Sequence, residues 1–437
     1  MQLSKRMDRL ASMVTEGSSL ADVGTDHGYI PIALVQTGKV SRAIAMDINK
    51  GPLELSLIHI YWGYGKAYYF APKASYSASG DPVRELKMLV RELHKNGIEL
   101  ILEFYFPERT RVGLVMDCIR HWVREYHIDG VQINSDAAFT TALAADPLLA
   151  KTKILSEYFD TGHIYDQEDQ PKFRHLGECN DDFMMRLRRF LKGDEGALQQ
   201  LMEKMHQNLQ QTVSVNYAAG HNGFTLADAV AYESKHNEAN GEDNRDGSDY
   251  NCSCNYGEEG PTAVRRLKKL RERQMRNALL LTLLSQGVPA LYGGDEMENS
   301  QQGNNNVYCQ DNELSWVQWS KSRSGRNLQK FTKDAIEFRK MHAAFGRKKA
   351  YTMHDIGARG MPDLSYHGRK AWYGDFEGGS RHVGILYAGC HTGGETLYVI
   401  CNMHTLSLIH IFCGHLHQKS WKSRQLPRLQ ETRRLKK

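Results

Sequence analysis

Two polar residues near the middle of the chain stand where a predicted buried strand opens into a loop. The strand begins with a β-branched run at Val213 and ends at Gly220, and His221 and Asn222 follow it. Barrel enzymes build their sites in this way, from polar side chains at the carboxyl ends of buried strands. The following loop, which runs to residue 261, is rich in Asn, Asp, Glu and Gly and longer than a packing connection needs. A strand end followed by a solvated insertion fits the same pattern, so composition alone leaves both interpretations open.

A second set of residues that could form a functional site lies near the N-terminus, in the segment SLADVGTDHG. A short apolar strand ends at Asp22, Gly24 and Gly28 lie in the turn that follows, and the next apolar strand ends at Asp47. Strand, glycine turn, helix, strand and acid is the order of a nucleotide-binding unit, in which the glycines let the backbone approach the ligand. Asp47 would accept hydrogen bonds from ribose hydroxyls. Many α/β units share this spacing, so the pattern indicates such a site without specifying it.

Predicted strands and helices alternate between residues 82 and 292. Strands are predicted at 99–104, 130–133, 153–157, 213–217 and 289–292. Helices are predicted at 82–96, 112–126, 181–191, 196–209 and 263–286. This alternation predicts an α/β fold with a parallel sheet, which would bring the carboxyl ends of its strands to one edge.

Three long motifs carry a resemblance to a known family. They are HNGFTLADAVAYESKHNEANGEDNRDG from residue 221, QGVPALYGGDE from residue 286 and QQGNNNVYCQDNELSW from residue 301. They resemble the debranching branch of the α-amylase superfamily, glycoside hydrolase family 13, which includes isoamylases, pullulanases and glycogen debranching enzymes. The resemblance runs from about residue 61 to about residue 404. It implies a (β/α)8 TIM barrel lacking its first strand–helix unit, a truncated C-terminal β-sandwich, and an α-glucan ligand of the glycogen or starch type.

The resemblance assigns roles to individual positions. Retaining glycosidases use one carboxylate as nucleophile and a second as acid/base, and this superfamily adds a third that holds sugar hydroxyls. Glu157, which ends the strand KILSE, matches the acid/base. Asn134 stands at the nucleophile position, Asn222 at the third carboxylate position, and Gln132 replaces the family's Arg. Gln132, His221 and Tyr64, the last in the segment YWGY, are implied to bind substrate, and no metal or cofactor is expected for the barrel.

These substitutions predict impaired catalysis. A neutral amide at Asn134 has no anionic oxygen to form the glycosyl-enzyme ester. Gln132 in place of the family's Arg fits this change, because a buried Arg without its carboxylate partner would be costly. Asp136, two residues beyond Asn134, could share the strand's face and supply a carboxylate. The favoured interpretation is a glucan-binding or scaffolding domain, and an active α-1,6-glucosidase with unusual residues is the alternative.

The first 54 residues resemble a different family. The segments MQLSKR, ADVGTDHGYIP and AIAMDINKGPLE resemble the bacterial tRNA adenine-22 N1-methyltransferase, which uses S-adenosylmethionine on a Rossmann-like fold. The resemblance implies a cofactor site lined by Asp22, Gly24, Asp26, His27, Gly28 and Asp47. Only the first strand–helix–strand has a counterpart here, so we do not expect the fragment to hold the cofactor, and tRNA would be a partner only of a complete domain.

A repeated hexapeptide marks the ends of both resemblances. LSLIHI occurs at 55–60 and again at 406–411, with no repeat unit around it. We interpret it as a translated sequencing-adapter remnant that joins unrelated fragments into a chimera, the alternative being two similar strands. The predicted divisions are a methyltransferase fragment (1–54), a junction (55–60), the barrel (61–344), the start of a β domain (345–405), and a junction with a basic disordered tail (406–437).

Composition and charge narrow the class of protein. The chain has 437 residues, 41% of them hydrophobic and 24% charged, as is typical of globular proteins. No apolar run approaches the length of a bilayer span, and the amphipathic N-terminal segment lacks the apolar core of a signal peptide, so we expect a cytoplasmic protein with no membrane partner. Of the net charge of +5, residues 413–437 contribute +7 (eight Lys or Arg and one Glu), which leaves about −2 (5 − 7) elsewhere. The body is therefore not a nucleic-acid-binding surface by charge.

Overall fold

The computed structural model describes residues 19–23, 39, 42–46, 62, 69–165, 175–207, 211–319 and 322–404. Several predicted features lie outside these residues: Gly24, Asp26, His27, Gly28, Asp47, Tyr64, both copies of LSLIHI and the basic tail.

Two short parallel strands lie in the N-terminal part. β1 (Ser19–Val23) pairs with β2 (Arg42–Met46), and Asp22 is opposite Ala45. The pair agrees with the strands predicted for the nucleotide-binding unit.

Six parallel strands form the main sheet, and they occur in the sheet in chain order. They are β3 (Ile101–Phe104), β4 (Gly130–Ile133), β5 (Lys153–Ser156), β6 (Leu176–Cys179), β7 (Val213–Asn216) and β8 (Val288–Pro289). Five of them overlap predicted strands, although β8 shares only Pro289 with the strand predicted at 289–292, and β6 was not predicted. A strand order that never reverses is typical of barrels, whereas doubly wound sheets reverse at a switch point. Among the described residues no pairing joins β3 to β8.

Helices precede, separate and follow the strands of the main sheet. Before the first strand lies α1 (Pro82–Lys95). Between the strands lie α2 (Val112–Tyr126), α3 (Ala137–Ala145), α4 (Thr161–Tyr165), α5 (Asp181–Lys192), α6 (Ala197–Met205), α7 (Leu226–Ala229) and α8 (Arg265–Leu284), and after the last strand come α9 (Arg323–Met341) and α10 (Gly389–Thr392). The five predicted helices correspond to α1, α2, α5, α6 and α8. The predicted end at residue 209 is too late, because α6 ends at Met205.

Capping residues fix where the helices begin. Asn180 accepts a hydrogen bond from Phe183 N–H at 3.0 Å and so caps α5, whose first turn carries Asp181 and Asp182. Gly193 ends the same helix with φ of 83°, a conformation that glycine adopts without a Cβ clash. Acidic residues at the first turn and glycine just past the last turn both favour the helix at these bounds.

Two of the apolar clusters in the described part of the chain pack helices against sheets. One joins α2, α3 and the first strands, around the fully buried side chains of Phe106, Ile119 and Leu143. The other packs α5, α6 and α8 against the C-terminal sheet, around Leu187 and Leu201. None of the helices in the described part of the chain has the length and apolarity of a bilayer span.

An antiparallel sheet lies in the segment where the start of a β domain was predicted. It contains β9 (Leu364–His367), β10 (His382–Tyr387) and β11 (Leu397–Asn402), with β10 in the centre. His206, just beyond α6, joins this sheet to the helices. Its Nε2 lies 2.7 Å from the Tyr387 hydroxyl and its Nδ1 lies 2.6 Å from the Tyr366 hydroxyl.

Candidate functional site

A cavity of about 590 Å³ lies at the carboxyl ends of the parallel strands. The ends of β3, β4 and β5 contribute one part of its lining: Glu103, Phe104, Tyr105, Gln132, Ile133, Asn134, Ser156 and Glu157. Loops contribute the rest: Trp62, His221, Asn222, Glu242, Asp246, Asn306 and Tyr308. The structure therefore brings together the five predicted site residues of the barrel that it describes, namely Gln132, Asn134, Glu157, His221 and Asn222.

The side-chain amide of Asn134 is committed to the main chain that follows β3. Its Oδ1 accepts a hydrogen bond from Phe106 N–H at 2.9 Å, and its Nδ2 donates to the Phe106 carbonyl at 3.0 Å. Phe106 is fully buried. This reciprocal pair needs a donor as well as an acceptor; an amide has both, and an ionised carboxylate has no donor. Asn134 thus extends the contact between β3 and β4 beyond the last strand residues.

Glu157 follows β5 and its side chain is exposed. The Ser135 hydroxyl donates to Glu157 Oε2 at 3.3 Å and lies at the same distance from the Ser156 hydroxyl. The carboxylate therefore stays accessible to a ligand in the cavity.

The charge of the lining is one-sided. Four carboxylates line the cavity, those of Glu103, Glu157, Glu242 and Asp246, and none of the described lining residues is Lys or Arg. Among the described lining residues, the one basic side chain is that of His221, and its Nε2 lies 3.5 Å from Glu103 Oε1. A neutral polyhydroxy ligand suits such a lining better than an anion does, because an anion would face uncompensated like charge.

His221 and Tyr308 connect the loops at the cavity mouth. The Trp62 ring meets His221 edge to face, with ring centroids 5.2 Å apart, and Trp62 N–H donates to the Tyr308 carbonyl at 3.3 Å. The Tyr308 hydroxyl donates to Glu242. Burial and this carboxylate raise the pKa of Tyr308 above its ordinary value, so the hydroxyl keeps its proton.

Asp136 does not reach the cavity lining. Its carboxylate accepts hydrogen bonds from Ala138 N–H at 2.9 Å and Phe139 N–H at 3.3 Å, and so it caps α3. The alternative in which Asp136 supplies the missing carboxylate therefore has no support from the geometry. The sequence placed Asp136 on the strand's face, whereas the chain has already turned into the helix there.

The long loop after β7 is an ordered wall. Asn237 is fully buried and pairs reciprocally with Asn305, at 2.9 Å in both directions. Asp246 Oδ2 accepts from Asn240 at 2.7 Å and from Asn306 at 2.9 Å. Buried amides with both donors and acceptors satisfied hold a single geometry. The loop is therefore packed at these positions and is not a wholly solvated insertion, although residues 247–250 are exposed.

Glu103, Glu242, Asp246 and Tyr308 are site residues that the sequence reasoning missed. Glu103 had a usable signal, since it is a carboxylate within a predicted strand. The loop residues had no local signal, because their position depends on the Asn network.

The N-terminal site is only partly described. Asp22 is the fourth residue of β1, and the other residues implied to hold S-adenosylmethionine lie outside the described residues. In the part of the chain that the structure describes, no group of three or more His, Cys, Asp or Glu side chains is placed to hold a metal ion.

Comparison with known sequences separates the two parts of the chain. Residues 3–62 match a family model described as a methyltransferase domain. The Mycobacterium tuberculosis glycogen operon protein GlgX homolog is 31% identical over 405 residues, which cover 75% of this chain and 56% of that protein. Isoamylase 1 of Oryza sativa subsp. japonica is 31% identical over 400 residues, covering 70% and 50%. The glycogen debranching enzyme of Erwinia tasmaniensis is 35% identical over 347 residues, covering 64% and 52%. The chain thus spans about half the length of these relatives.

Solved structures of pullulanases share the fold. The pullulanase from Bacillus acidopullulyticus superposes with a TM-score of 0.56 at 17% identity, covering 78% of this chain and 46% of that one. The apo pullulanase from Paenibacillus barengoltzii gives a TM-score of 0.57 at 19% identity, covering 79% and 58%. Together these findings confirm that residues from about 61 to about 404 resemble the debranching type of glycoside hydrolase family 13, and that the N-terminal residues resemble a methyltransferase domain.

Proposed function

We propose that the part of the chain after residue 60 is an α-glucan-binding domain of the debranching type whose hydrolytic activity is impaired. The observation that carries this proposal is the reciprocal pair between Asn134 and Phe106, at 2.9 and 3.0 Å. The side chain at the nucleophile position is neutral, and its two hydrogen bonds direct its polar atoms towards the main chain of Phe106.

The remaining acid is not sufficient for the reaction. Glu157 can protonate a leaving oxygen, but the glycosyl cation that develops needs a nucleophile or a charge-stabilising carboxylate on the other side. Asn134 and Asn222 supply neither. Losing even one preorganised hydrogen-bond donor that stabilises transition-state charge typically reduces enzyme rates by a factor of about a hundred to a thousand, and loss of the nucleophile costs more.

An active α-1,6-glucosidase is the second candidate, and one observation favours it. Glu103, Glu242 and Asp246 line the same cavity as Glu157, so three further carboxylates lie beside the acid/base position, and Glu103 is the one carried by a strand, β3. Under this alternative Glu103 would take the role of the missing nucleophile. It is distinguishable, because Glu103→Gln would then abolish sugar release.

The ligand class follows from the cavity and the relatives. Pullulanases from Paenibacillus barengoltzii have been solved with maltotetraose and with maltohexaose and α-cyclodextrin. The cavity of about 590 Å³ has the size of a small-molecule site and offers the rings of Trp62, Tyr105 and Tyr308 beside carboxylates and amides. Aromatic faces stack on sugar rings and polar groups bond sugar hydroxyls, so we infer a neutral α-glucan as the ligand.

We also propose that the barrel is incomplete and the chain composite. β3 and β8 are the ends of the main sheet as described, and Ile101 and Val288 on them are exposed. Exposed edges of this kind are what closure of a barrel normally removes. The proposed divisions remain 1–54, 55–60, 61–344, 345–405 and 406–437. Continuous genomic sequence through both copies of LSLIHI would contradict the chimera.

Calorimetry with maltotetraose and a reducing-sugar assay on pullulan test the function on the purified full chain. We expect glucan binding without sugar release. Trp62→Ala should weaken binding at least about tenfold, whereas Trp319→Ala, at a tryptophan that is 77% exposed and outside the cavity, should not. Sugar release that Glu157→Gln abolishes would overturn the impaired-enzyme proposal. Absence of any glucan binding would overturn the ligand class.

A further inference from the structure

A single buried guanidinium joins the loops of the cavity. Arg188 lies on α5 and is 5% exposed. Its Nε donates to the Ala218 carbonyl at 2.9 Å, its Nη2 to the Phe224 carbonyl at 2.9 Å, and its Nη1 to the Asn251 carbonyl at 3.1 Å. These three hydrogen bonds go to three different stretches of main chain.

Two of the three carbonyls enclose the loop that carries the site residues. Ala218 and Phe224 stand on either side of His221 and Asn222, both of which line the cavity. The planar guanidinium bonds both ends of this short loop at once, so the distance between the ends is set by the fork of one side chain.

The third carbonyl connects Arg188 to the facing wall. Asn251 Oδ1 accepts from Asn305 Nδ2 at 2.9 Å, and Asn305 pairs reciprocally with Asn237. That amide network positions Asp246, another residue of the cavity lining. Arg188 therefore contacts both the loop that carries His221 and the network of Asn237, Asn251 and Asn305 on the facing side of the cavity.

Packing alone does not account for an arginine at this position. Its neighbours on α5, Phe183, Leu187 and Leu191, belong to the apolar core, and an aliphatic side chain would be cheaper to bury there. Burial lowers the pKa of Arg188, and the buried Asp295 nearby opposes that shift. Charge-assisted bonds to three carbonyls offset the loss of hydration.

We propose that Arg188 is a positioning residue that holds the two loop walls of the glucan cavity in register. The proposal rests on the proposed function for its ligand, but the ordering of the loops does not. Lysine is no substitute, since one ammonium cannot bond three carbonyls in the plane that the guanidinium spans.

Hydrogen exchange and glucan binding on the full chain test this proposal. Arg188→Lys is compared with Arg186→Lys, a matched change on the same helix at a partly exposed Arg paired with Asp182 at 2.7 Å. In Arg188→Lys we expect exchange of amides in segments 218–224 and 249–253 to accelerate at least about tenfold, while β10 and β11 keep their rates. The dissociation constant for maltotetraose should rise at least about tenfold. Arg186→Lys should change neither.

Two results would overturn the positioning role. Unchanged exchange in both loop segments is one, and a uniform acceleration that includes β10 and β11 is the other, because it would indicate a general loss of stability. If the unaltered protein binds no glucan, the proposed function fails, and the exchange pattern still decides the role of Arg188. Arg188→Met, which keeps the apolar stem, should show the same local acceleration as Arg188→Lys.

Discussion

Replacing Asn134 by aspartate restores the carboxylate that the family resemblance places at this position, and we expect it to destabilise the fold. The change keeps the acceptor that bonds Phe106 N–H but removes the Nδ2 donor, which lies 3.0 Å from the Phe106 carbonyl. A carboxylate oxygen would then face that carbonyl oxygen. Phe106 is fully buried, and a buried acceptor deprived of its donor costs about 1–3 kcal/mol. The free energy of unfolding should fall by this amount at pH 7.

The loss should depend on pH in a defined direction. The carbonyl disfavours the ionised form, so the pKa of the new carboxyl in the folded state lies above its value of about 3.9 in the unfolded chain. A group with a raised folded pKa stabilises the fold below its unfolded pKa and loses that contribution as the pH rises through its folded pKa. The protonated carboxyl can donate its O–H to the Phe106 carbonyl. The difference between Asn134→Asp and the unaltered protein should therefore shrink at low pH.

Urea unfolding followed by tryptophan fluorescence at neutral and acidic pH measures this difference. Asn222→Asp is the matched control, because it makes the same isosteric change in the same cavity at an exposed side chain. It should alter the free energy of unfolding by no more than about 0.5 kcal/mol. An Asn134→Asp protein as stable as the control at pH 7 would refute the reasoning. Pullulan hydrolysis by Asn134→Asp would refute its functional part, since Gln132 and Asn222 remain unchanged in it.

Three other changes test separate parts of the structure. Gly287→Ala should cost at least about 2 kcal/mol more than Gly241→Ala in urea unfolding, because both have positive φ but only a Cβ at Gly287 would meet the Ser214 carbonyl, at 2.4 Å. Asp295→Asn should flatten the pH dependence of stability. Burial raises the pKa of Asp295 to about 7 from 3.8, so its contribution is complete below about pH 4 and is lost as the pH rises to about 7; unfolding at pH 5 and pH 8 measures this. Glu157→Gln should leave the unfolding midpoint unchanged, because this carboxylate is exposed, and a lower midpoint would show a structural role.

The sequence predicted elements well where local signals were sufficient. The helix at 112–126 and the strand at 130–133 match α2 and β4 in both bounds, because their apolar spacing changes from helical to strand-like across a short polar turn. β6 was missed, since Gly177 and Glu178 carry no strand propensity. Gly177 pairs with Leu155 and Val213 on the neighbouring strands, and a Cβ there would lie 2.6 Å from Leu155 Cδ2, so glycine suits this position in the sheet. That requirement is tertiary and has no trace in the local pattern.

The sequence predicted some of the residues that line the site, but neither the loop residues among them nor the hydrogen bonds they make. Gln132, Asn134 and Glu157 meet because parallel strands bring their carboxyl ends to one edge, which follows from the fold class alone. The partner of Asn134 could not be predicted, because it depends on how the chain continues after β3. The participation of Glu242 and Asp246 depends on contacts between loops far apart in the sequence.

The neutral side chains at positions 132 and 134 can be explained together by the charge of the cavity. A carboxylate at position 134 would join the four already present in the lining, without the Arg that the family places where Gln132 stands. Like charges in a partly desolvated cavity repel, so a carboxylate there would be costly once its cation is gone. An amide avoids that repulsion and can also bond both polar groups of Phe106. Without an Arg at position 132, a neutral residue at position 134 is therefore electrostatically favoured, whereas Glu157 and the aromatic rings of the lining do not depend on that pair. Under the proposed function, the cavity keeps the groups that bind a neutral sugar and lacks the nucleophile that the hydrolytic transition state needs.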